Sequence, residues 1–339
     1  MSEKKRILLL ATGGTIASKQ TSAGLAPQLT AEDLLSYIPS VYEICQVMVD
    51  QVFDLDSTNM TPQHWLLLVE RIRQRYEQFD GFVIAHGTDT LAYTAAALSY
   101  LIQNSVKPIV LTGAQKSIDR DSTDAKMNLL DSFTWACSTG ASGVSIVFDG
   151  KVIAGTRAKK LRSKSYNAFS SINFPQLALI RDGRIFRYIN RCKPLQPVRF
   201  FDKLECSVGV LKLIPGTGVD LLEWAFGNYR CIILESFGVG GIPQTLVERF
   251  YELRRSHPDV LVIMTTQVTE EGSDMDVYEV GHLAKREGNI LESYDMTLES
   301  VVAKAMWLLG NFSVSQEEQA QLFYRPVDFD TVMSLTETL

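Results

Sequence analysis

The stretch RILLLATGGTIASK, Arg6 to Lys19, decides the reading of the fold. Its apolar run, Ile7 to Ala11, stops at Thr12 and gives way to two glycines and Thr15. A short, continuous apolar run ended by glycine fits a strand of a parallel sheet buried on both faces. Three uses for the ending compete: a phosphate cradle, a plain turn, or a mount for a nucleophile. Gly13 and Gly14 match neither GxGxxG nor GxxxxGK[ST], so the dinucleotide and P-loop readings lose their specific support. Two glycines let the backbone bend sharply without Cβ clashes. That would hold the Thr15 hydroxyl out toward a ligand, and a plain turn stays open beside it.

The pattern repeats outward from this strand. GFVIAHG (Gly81 to Gly87), KPIVLTGAQ (Lys107 to Gln115) and GVSIVFDG (Gly143 to Gly150) read as further strands. Thr61-Pro62 is an N-cap and first-turn pair for a helix through Phe79, and helices are predicted over Asp89–Gln103 and Thr123–Ser138. Strand–helix alternation argues for an open, mainly parallel α/β sheet. From Arg187 to Cys206 the period is lost among prolines and charges, which reads as a linker or crossing segment. Strands then resume at Val208–Gly216, Cys231–Gly241 and Val260–Gln267, and Thr297–Gly310 reads as the last helix. The fold class is therefore α/β: a larger N-terminal open, mainly parallel α/β domain (1–188), a linker (189–207) and a smaller C-terminal α/β domain (208–339).

Composition narrows the function classes. The chain has 339 residues, long enough for two cores, with a net charge of −6 that disfavours non-specific nucleic-acid binding. Cys45, Cys137, Cys192, Cys206 and Cys231 are odd in number and lack a CxxC spacing. They read as reduced, mostly buried thiols of a cytoplasmic protein, with no disulfide framework or zinc site. His64, His86, His257 and His282 are scattered, without a metal-binding pair, and read as surface or satisfied core histidines. The N-terminal apolar run is too short for a signal peptide, and no run approaches the ~20 residues that span a bilayer. The expectation is a soluble, intracellular protein.

Ligands of open α/β sheets bind beyond the carboxyl ends of the strands. Thr15 lies at such an end, and so does HGTDT, His86 to Thr90. Thr88, Asp89 and Thr90 are all good helix caps, and capping is the simpler account of each alone. In a cleft, a carboxylate there can hold an ammonium group and a hydroxyl can relay a proton. DSTNM, Asp56 to Met60, is a polar loop whose Ser57 and Thr58 offer donors to a small carboxylate. GTRAKKLRSK, Gly155 to Lys164, reads first as a solvated basic face, since it lacks the interleaved aromatics of a nucleic-acid patch. A lysine of this run drawn into a cleft and desolvated can act as a base. Spacing does not choose between Lys159, Lys160 and Lys164.

Together, ATGGTIAS, DSTNM, DGFVIAHGTDTLAYTAAALS, KPIVLTGAQ, GTRAKKLRSKSYNAFSSIN, ESFGVGGIPQ and DMTLESVVAKAMWLLG resemble the bacterial-type asparaginase/glutaminase family, most closely its cytosolic type I members. The resemblance covers nearly the whole chain. It implies hydrolysis of L-asparagine to L-aspartate and ammonia, with no metal and no organic cofactor. It implies Thr15 as nucleophile, with Thr88, Asp89 and Lys160 as the other catalytic residues and a β-aspartyl-enzyme intermediate. It also implies Asp56, Ser57, Thr58, Thr88 and Asp89 as substrate-binding residues. Ser57 and Thr58 match the pair on the substrate α-carboxylate, and Asp89 the residue facing its α-ammonium. A homotetramer built as a dimer of dimers is implied too, with no nucleic-acid or membrane partner.

Two departures stand out. The family's loop tyrosine is replaced, the stretch reading Gly24-Leu25. The positions aligned with an allosteric asparagine site, Lys159, Glu235 and Val268, differ from the expected threonine, arginine and cysteine, so allostery through that site is not expected. Competing readings are a glutaminase-leaning enzyme, a non-catalytic amino-acid sensor, and a tRNA-dependent amidotransferase component. The last usually carries an extra N-terminal domain, against which the start of this chain at its first strand argues. A dinucleotide-dependent oxidoreductase is the fold-level rival, weakened by the missing GxGxxG.

Overall fold

The computed structural model describes residues 3–21, 24–27, 29–277 and 290–332, with the backbone alone for 19–21 and 24–27. His282, Ser22, Ala23, Gln28 and the side chain of Leu25 lie outside this description. The chain divides into two compact units, Met1–Asp202 and Lys203–Leu339.

In the first unit β1 spans Arg6–Gly13, and every side chain from Ile7 to Ala11 is buried. After it come α1 (Ala31–Ser36), α2 (Val41–Ile44) and β2 (Gln46–Leu55). Next are α3 (Pro62–Arg75), β3 (Gly81–Ala85), α4 (Leu91–Leu101), β4 (Pro108–Thr112), α5 (Ala125–Cys137) and β5 (Gly143–Phe148). As the Thr61-Pro62 pair predicts, Pro62 opens α3; the Thr61 N–H donates to His64 Nδ1 at 3.0 Å. Three more strands follow: β6 (Lys151–Ala154), β7 (Ala178–Arg181) and β8 (Arg184–Arg187).

These strands form one sheet in the order β2-β1-β3-β4-β5-β6-β7-β8. The block β2-β1-β3-β4-β5 is parallel throughout. Its order reverses between β1 and β3, the switch point where open α/β sheets place ligands. From β5 onward the pairing is antiparallel, so the sheet is mixed. Two Asp-Gly turns make two of these three antiparallel pairings. Asp149 and Gly150 have φ of 52° and 71°, and Asp182 and Gly183 have 50° and 68°. Two successive positive φ values suit the tight hairpin turns that reverse β5 into β6 and β7 into β8.

The segment that reads as a linker is not bare chain: Arg199–Phe200 pairs antiparallel with Ile102–Gln103. In the second unit β9 (Val208–Lys212), β10 (Cys231–Ser236), β11 (Leu261–Thr266) and β12 (Leu291–Glu292) make a parallel sheet in sequence order. Helices α6 (Val219–Asn228) and α7 (Gln244–Ser256) join Leu222, Phe226, Leu246 and Phe250 to Ile232, Val262 and Met264 in one core. Helix α8 (Leu298–Asn311) is capped by the Thr297 hydroxyl and is not the last: α9 (Gln316–Tyr324) follows, started by a Ser315–Glu318 capping box. Lys304 of α8 is fully buried and donates to Asp330 at 2.5 Å and to the Arg325 carbonyl at 3.0 Å. Burial pushes its pKa down while Asp330 pulls it up.

All five cysteines are free thiols, but only Cys45 and Cys231 are buried; Cys137 is half-buried and Cys192 and Cys206 are exposed. Among the described residues no helix is long and apolar enough to cross a membrane.

Candidate active site

What lies against the two glycines explains why β1 ends in them. Gly13 and Gly14 take φ of 92° and 78°, where a side chain is strained. A Cβ on Gly13 would lie 2.5 Å from the Leu55 nitrogen at the end of β2. One on Gly14 would lie 2.4 Å from the Gly87 Cα and nitrogen, just past β3. The Gly14 N–H also donates to the Leu55 carbonyl at 2.8 Å. The glycine pair is thus a wedge between the ends of the two neighbouring strands. Half-buried Thr15 leaves it on a one-turn 3₁₀ helix, Thr15–Ala17, and the Ser18 hydroxyl donates back to the Gly14 carbonyl at 2.8 Å.

The same close approach recurs at the next loop. A Cβ on Gly87 would lie 2.5 Å from Ser57 Oγ. Ser57 is buried, whereas Thr58 is exposed. Asp56 Oδ1 accepts the Thr58 N–H at 3.0 Å, so this carboxylate caps its own turn, Ser57–Asn59. Thr90 occupies the N-cap of α4 but does not cap it with its side chain. Its hydroxyl instead donates to the Ser57 carbonyl at 2.8 Å, tying the third loop to the second. Capping therefore does not account for Thr90.

Lys160 arrives on a short hairpin, Ala158–Lys160 paired with Phe169–Ser171. Its ammonium donates to Thr88 Oγ1 at 2.8 Å and to Asp89 Oδ1 at 2.7 Å. Adjacent strand residues point to opposite faces, so Lys159 cannot share this aim, and Lys164 is exposed. Nor is the basic run simply a solvated face: Arg157 is fully buried, its guanidinium 5.3 Å from the Phe174 ring centroid. The geometry thus joins Thr88, Asp89 and Lys160 directly, and brings Thr15 and Ser57 to them through the Gly14–Gly87–Ser57 contacts.

The family models for the asparaginase N-terminal domain and the glutaminase/asparaginase C-terminal domain match residues 6–192 and 207–323. The chain belongs to the asparaginase family. It is 37% identical over 311 residues to an L-asparaginase of Thermococcus kodakarensis, covering 90% of this chain and 93% of that protein. It is 34% identical over 334 residues to a glutamyl-tRNA(Gln) amidotransferase component of Pyrococcus furiosus, covering 94% of this chain and 75% of that protein. Among solved structures, the thermostable T. kodakarensis L-asparaginase superposes with a TM-score of 0.90 at 34% identity, covering 97% of this chain and 100% of that one. L-asparaginase I of Vibrio cholerae gives 0.86 at 28%, with the same coverage.

Within this asparaginase fold, sequence reasoning missed what holds the HGTDT loop in place. His86 is fully buried, and burial drops its pKa to about 4, so the ring is neutral at pH 7. Its Nδ1 lies 2.6 Å from the Gly87 carbonyl, which only accepts, so Nδ1 carries the proton. Nε2 then accepts from the Thr94 hydroxyl at 3.0 Å, and Thr94 Oγ1 accepts the Trp65 indole N–H at 3.0 Å. Of the two readings the sequence leaves open, surface or satisfied core, His86 is the second; its two partners are not legible there. The loop after β4 has its own anchor. Asp124 accepts the backbone N–H groups of Gln115 and Lys116 and the Asn128 amide, while burial raises its pKa against those donors. Asn128 also donates to the Gly113 carbonyl at 3.0 Å.

Proposed function

We propose that this chain is an L-asparaginase: it hydrolyses the side-chain amide of L-asparagine to L-aspartate and ammonia, through Thr15 as nucleophile. The observation that carries the reading is the Lys160 ammonium held between Thr88 Oγ1 and Asp89 Oδ1, on a loop wedged against the one that presents Thr15. The names of the Thermococcus and Vibrio relatives support it.

A hydroxyl is a poor nucleophile near neutral pH and needs a proton path. Lys160 donates to Thr88 Oγ1, which leaves the Thr88 hydrogen free to point at the substrate. The Thr88–Asp89–Lys160 unit takes the Thr15 proton during attack on the amide carbon and returns it to the leaving nitrogen. In a trans peptide the C=O and N–H point opposite ways. Because His86 holds the Gly87 carbonyl, the Thr88 N–H faces away from that buried ring and is available to the tetrahedral oxyanion, a donor worth roughly 3–4 kcal/mol. Water then cleaves the β-aspartyl ester. Buried Ser57 and exposed Thr58 hold the α-carboxylate and Asp89 the α-ammonium, fixing the amide against Thr15. Asp56 supports this from behind, by ordering the turn that carries both hydroxyls.

We also propose a cytoplasmic homotetramer, with 1–188 as the catalytic domain, 189–207 as linker and 208–339 as the smaller domain. The match of residues 207–323 to the glutaminase/asparaginase C-terminal domain model favours a second reading, an enzyme that prefers glutamine. Ammonia release from both amides by the purified protein tests both. Asparagine turnover that falls by about 10³-fold or more in Thr15→Ala, with an aspartyl adduct on Thr15 in quenched wild type, is the expected result. Binding of asparagine without turnover would mean a sensor, and a higher kcat/KM on glutamine would favour the second reading.

A further inference from the structure

We propose that the loop 113–124, between β4 and α5, is the strut that sets the separation of Thr15 from Lys160, with Ser117 and Gln115 as its two positioning residues. The proposal rests on the roles given above to Thr15 and Lys160.

At one end the loop grips the turn that carries Thr15. Ser117 is buried, and its hydroxyl donates to the Ser18 carbonyl, sharing its hydrogen with Asp119 Oδ1 at 2.6 Å. The next residue repeats the hold: the Ile118 N–H donates to the Ile16 carbonyl at 3.3 Å. One of these carbonyls lies inside the turn Thr15–Ala17 and the other at its end. The Ser18 hydroxyl ties the same turn back to Gly14.

At the other end the loop grips the hairpin that carries Lys160. Gln115 is half-buried and commits both amide hydrogens to it: Nε2 donates to the Arg162 and Ser165 carbonyls, each at 3.2 Å. The Tyr166 hydroxyl donates to the Ser122 carbonyl at 3.1 Å, and the Lys116 ammonium sits 5.5 Å from the Tyr166 ring centroid. The hairpin has three ladder pairs, with Lys160 in the one next to its loop. A two-stranded hairpin that short is marginal by itself, so its tip needs an outside hold.

Between the two grips the loop is braced. Asp124 accepts the Gln115 and Lys116 N–H groups, the Thr123 hydroxyl donates to the Lys116 carbonyl at 3.0 Å, and Asn128 fixes the Gly113 carbonyl. Gln115 is thus tied by its backbone to the start of α5 and by its side chain to the Lys160 hairpin. Releasing either end changes the spacing that the proton path needs, while Ser57 and Thr58 keep their places on a different loop. The loss should therefore fall on kcat rather than on KM.

The test compares the wild-type chain with Gln115→Glu, Ser117→Ala and the double variant. Gln115→Glu keeps the length of the side chain and replaces both donors with acceptors facing carbonyl oxygens. Gln115→Ala, which removes the donors without that repulsion, gives the same readings should the glutamate variant not fold. Each single variant should lower kcat on asparagine by about 10- to 100-fold, with KM within about three-fold of wild type. Because both act on one distance, the double variant should lie no more than about three-fold below the worse single. Hydrogen exchange read by peptide mass should tell the ends apart. Gln115→Glu should speed exchange in 161–168 and leave 15–18 as in wild type, and Ser117→Ala should do the reverse. The proposal is overturned if either single variant keeps its kcat, if the loss falls on KM, if the two losses multiply in the double variant, or if neither segment exchanges faster. A wild type that releases no ammonia from asparagine would remove the asparaginase reading alone; the exchange pattern then decides the strut by itself.

Discussion

Thr15 owes its position to residues that have no side chain. Gly14 combines a φ of 78° with a backbone neighbour 2.4 Å from where its Cβ would stand. Neither the strain nor the clash can be relieved by a rotamer change, because Gly87 is met by its backbone. We expect Gly14→Ala to cut kcat/KM by about 100-fold or more while the protein still folds, since displacing a reacting group by ~1 Å costs that much. Steady-state kinetics beside a far-UV spectrum checks this; near-wild-type kcat/KM in Gly14→Ala would sink the wedge argument. The motif displays the glycine pair openly, but the contacts that make it necessary come from residues some 40 and 70 positions later in sequence, so they cannot be read there. In the sequence only family likeness separates Lys160 from Lys159 and Lys164; strand alternation supplies the physical reason.

At the scale of elements, the parallel block is legible because each of β1, β3, β4 and β5 is an apolar run closed by glycine or polar residues. β2 is not: QVMVDQVFDL mixes charge and apolar residues along the sheet edge and has no glycine to bound it. The antiparallel strands β6 to β8 are signalled only by the Asp-Gly pairs at 149–150 and 182–183, a hairpin cue that strand–helix alternation overshadows. Two buried groups of this unit make its acid response testable. His86, depressed to about 4 in the folded state, contributes stability that is lost as pH falls from about 6.5 toward 4. Asp131, lifted to about 6 by burial, does the reverse: it favours the folded state at low pH, and that is lost as pH rises from about 4 to 6. The two slopes oppose each other in the same window. We expect Asp131→Asn to be more stable than wild type at pH 7. It should also lose roughly 1 kcal/mol more per pH unit than wild type between pH 6 and 4, measured by urea unfolding. Parallel pH curves for the two proteins would contradict this.

At the scale of the whole molecule, the asparaginase assignment rests on matches that span both units. Lys159, Glu235 and Val268 differ from the threonine, arginine and cysteine that the family resemblance leads one to expect at an effector site. We expect a hyperbolic dependence of rate on asparagine, and a tetramer by light scattering. A sigmoidal curve would contradict the first, and an active monomer the second. The second unit keeps one costly feature, the fully buried Lys304–Asp330 pair. Removing either partner would strand a charge in the interior.

The seam where Gly14, Gly87 and Ser57 meet also limits how this enzyme can be remodelled. The only side chain there is the small one of Ser57, which the substrate carboxylate needs, so a roomier cavity for a longer amide cannot be carved there. Changes of preference must come from the outer wall, at exposed positions such as Thr58, where volume can be added or withdrawn without prying the strand ends apart.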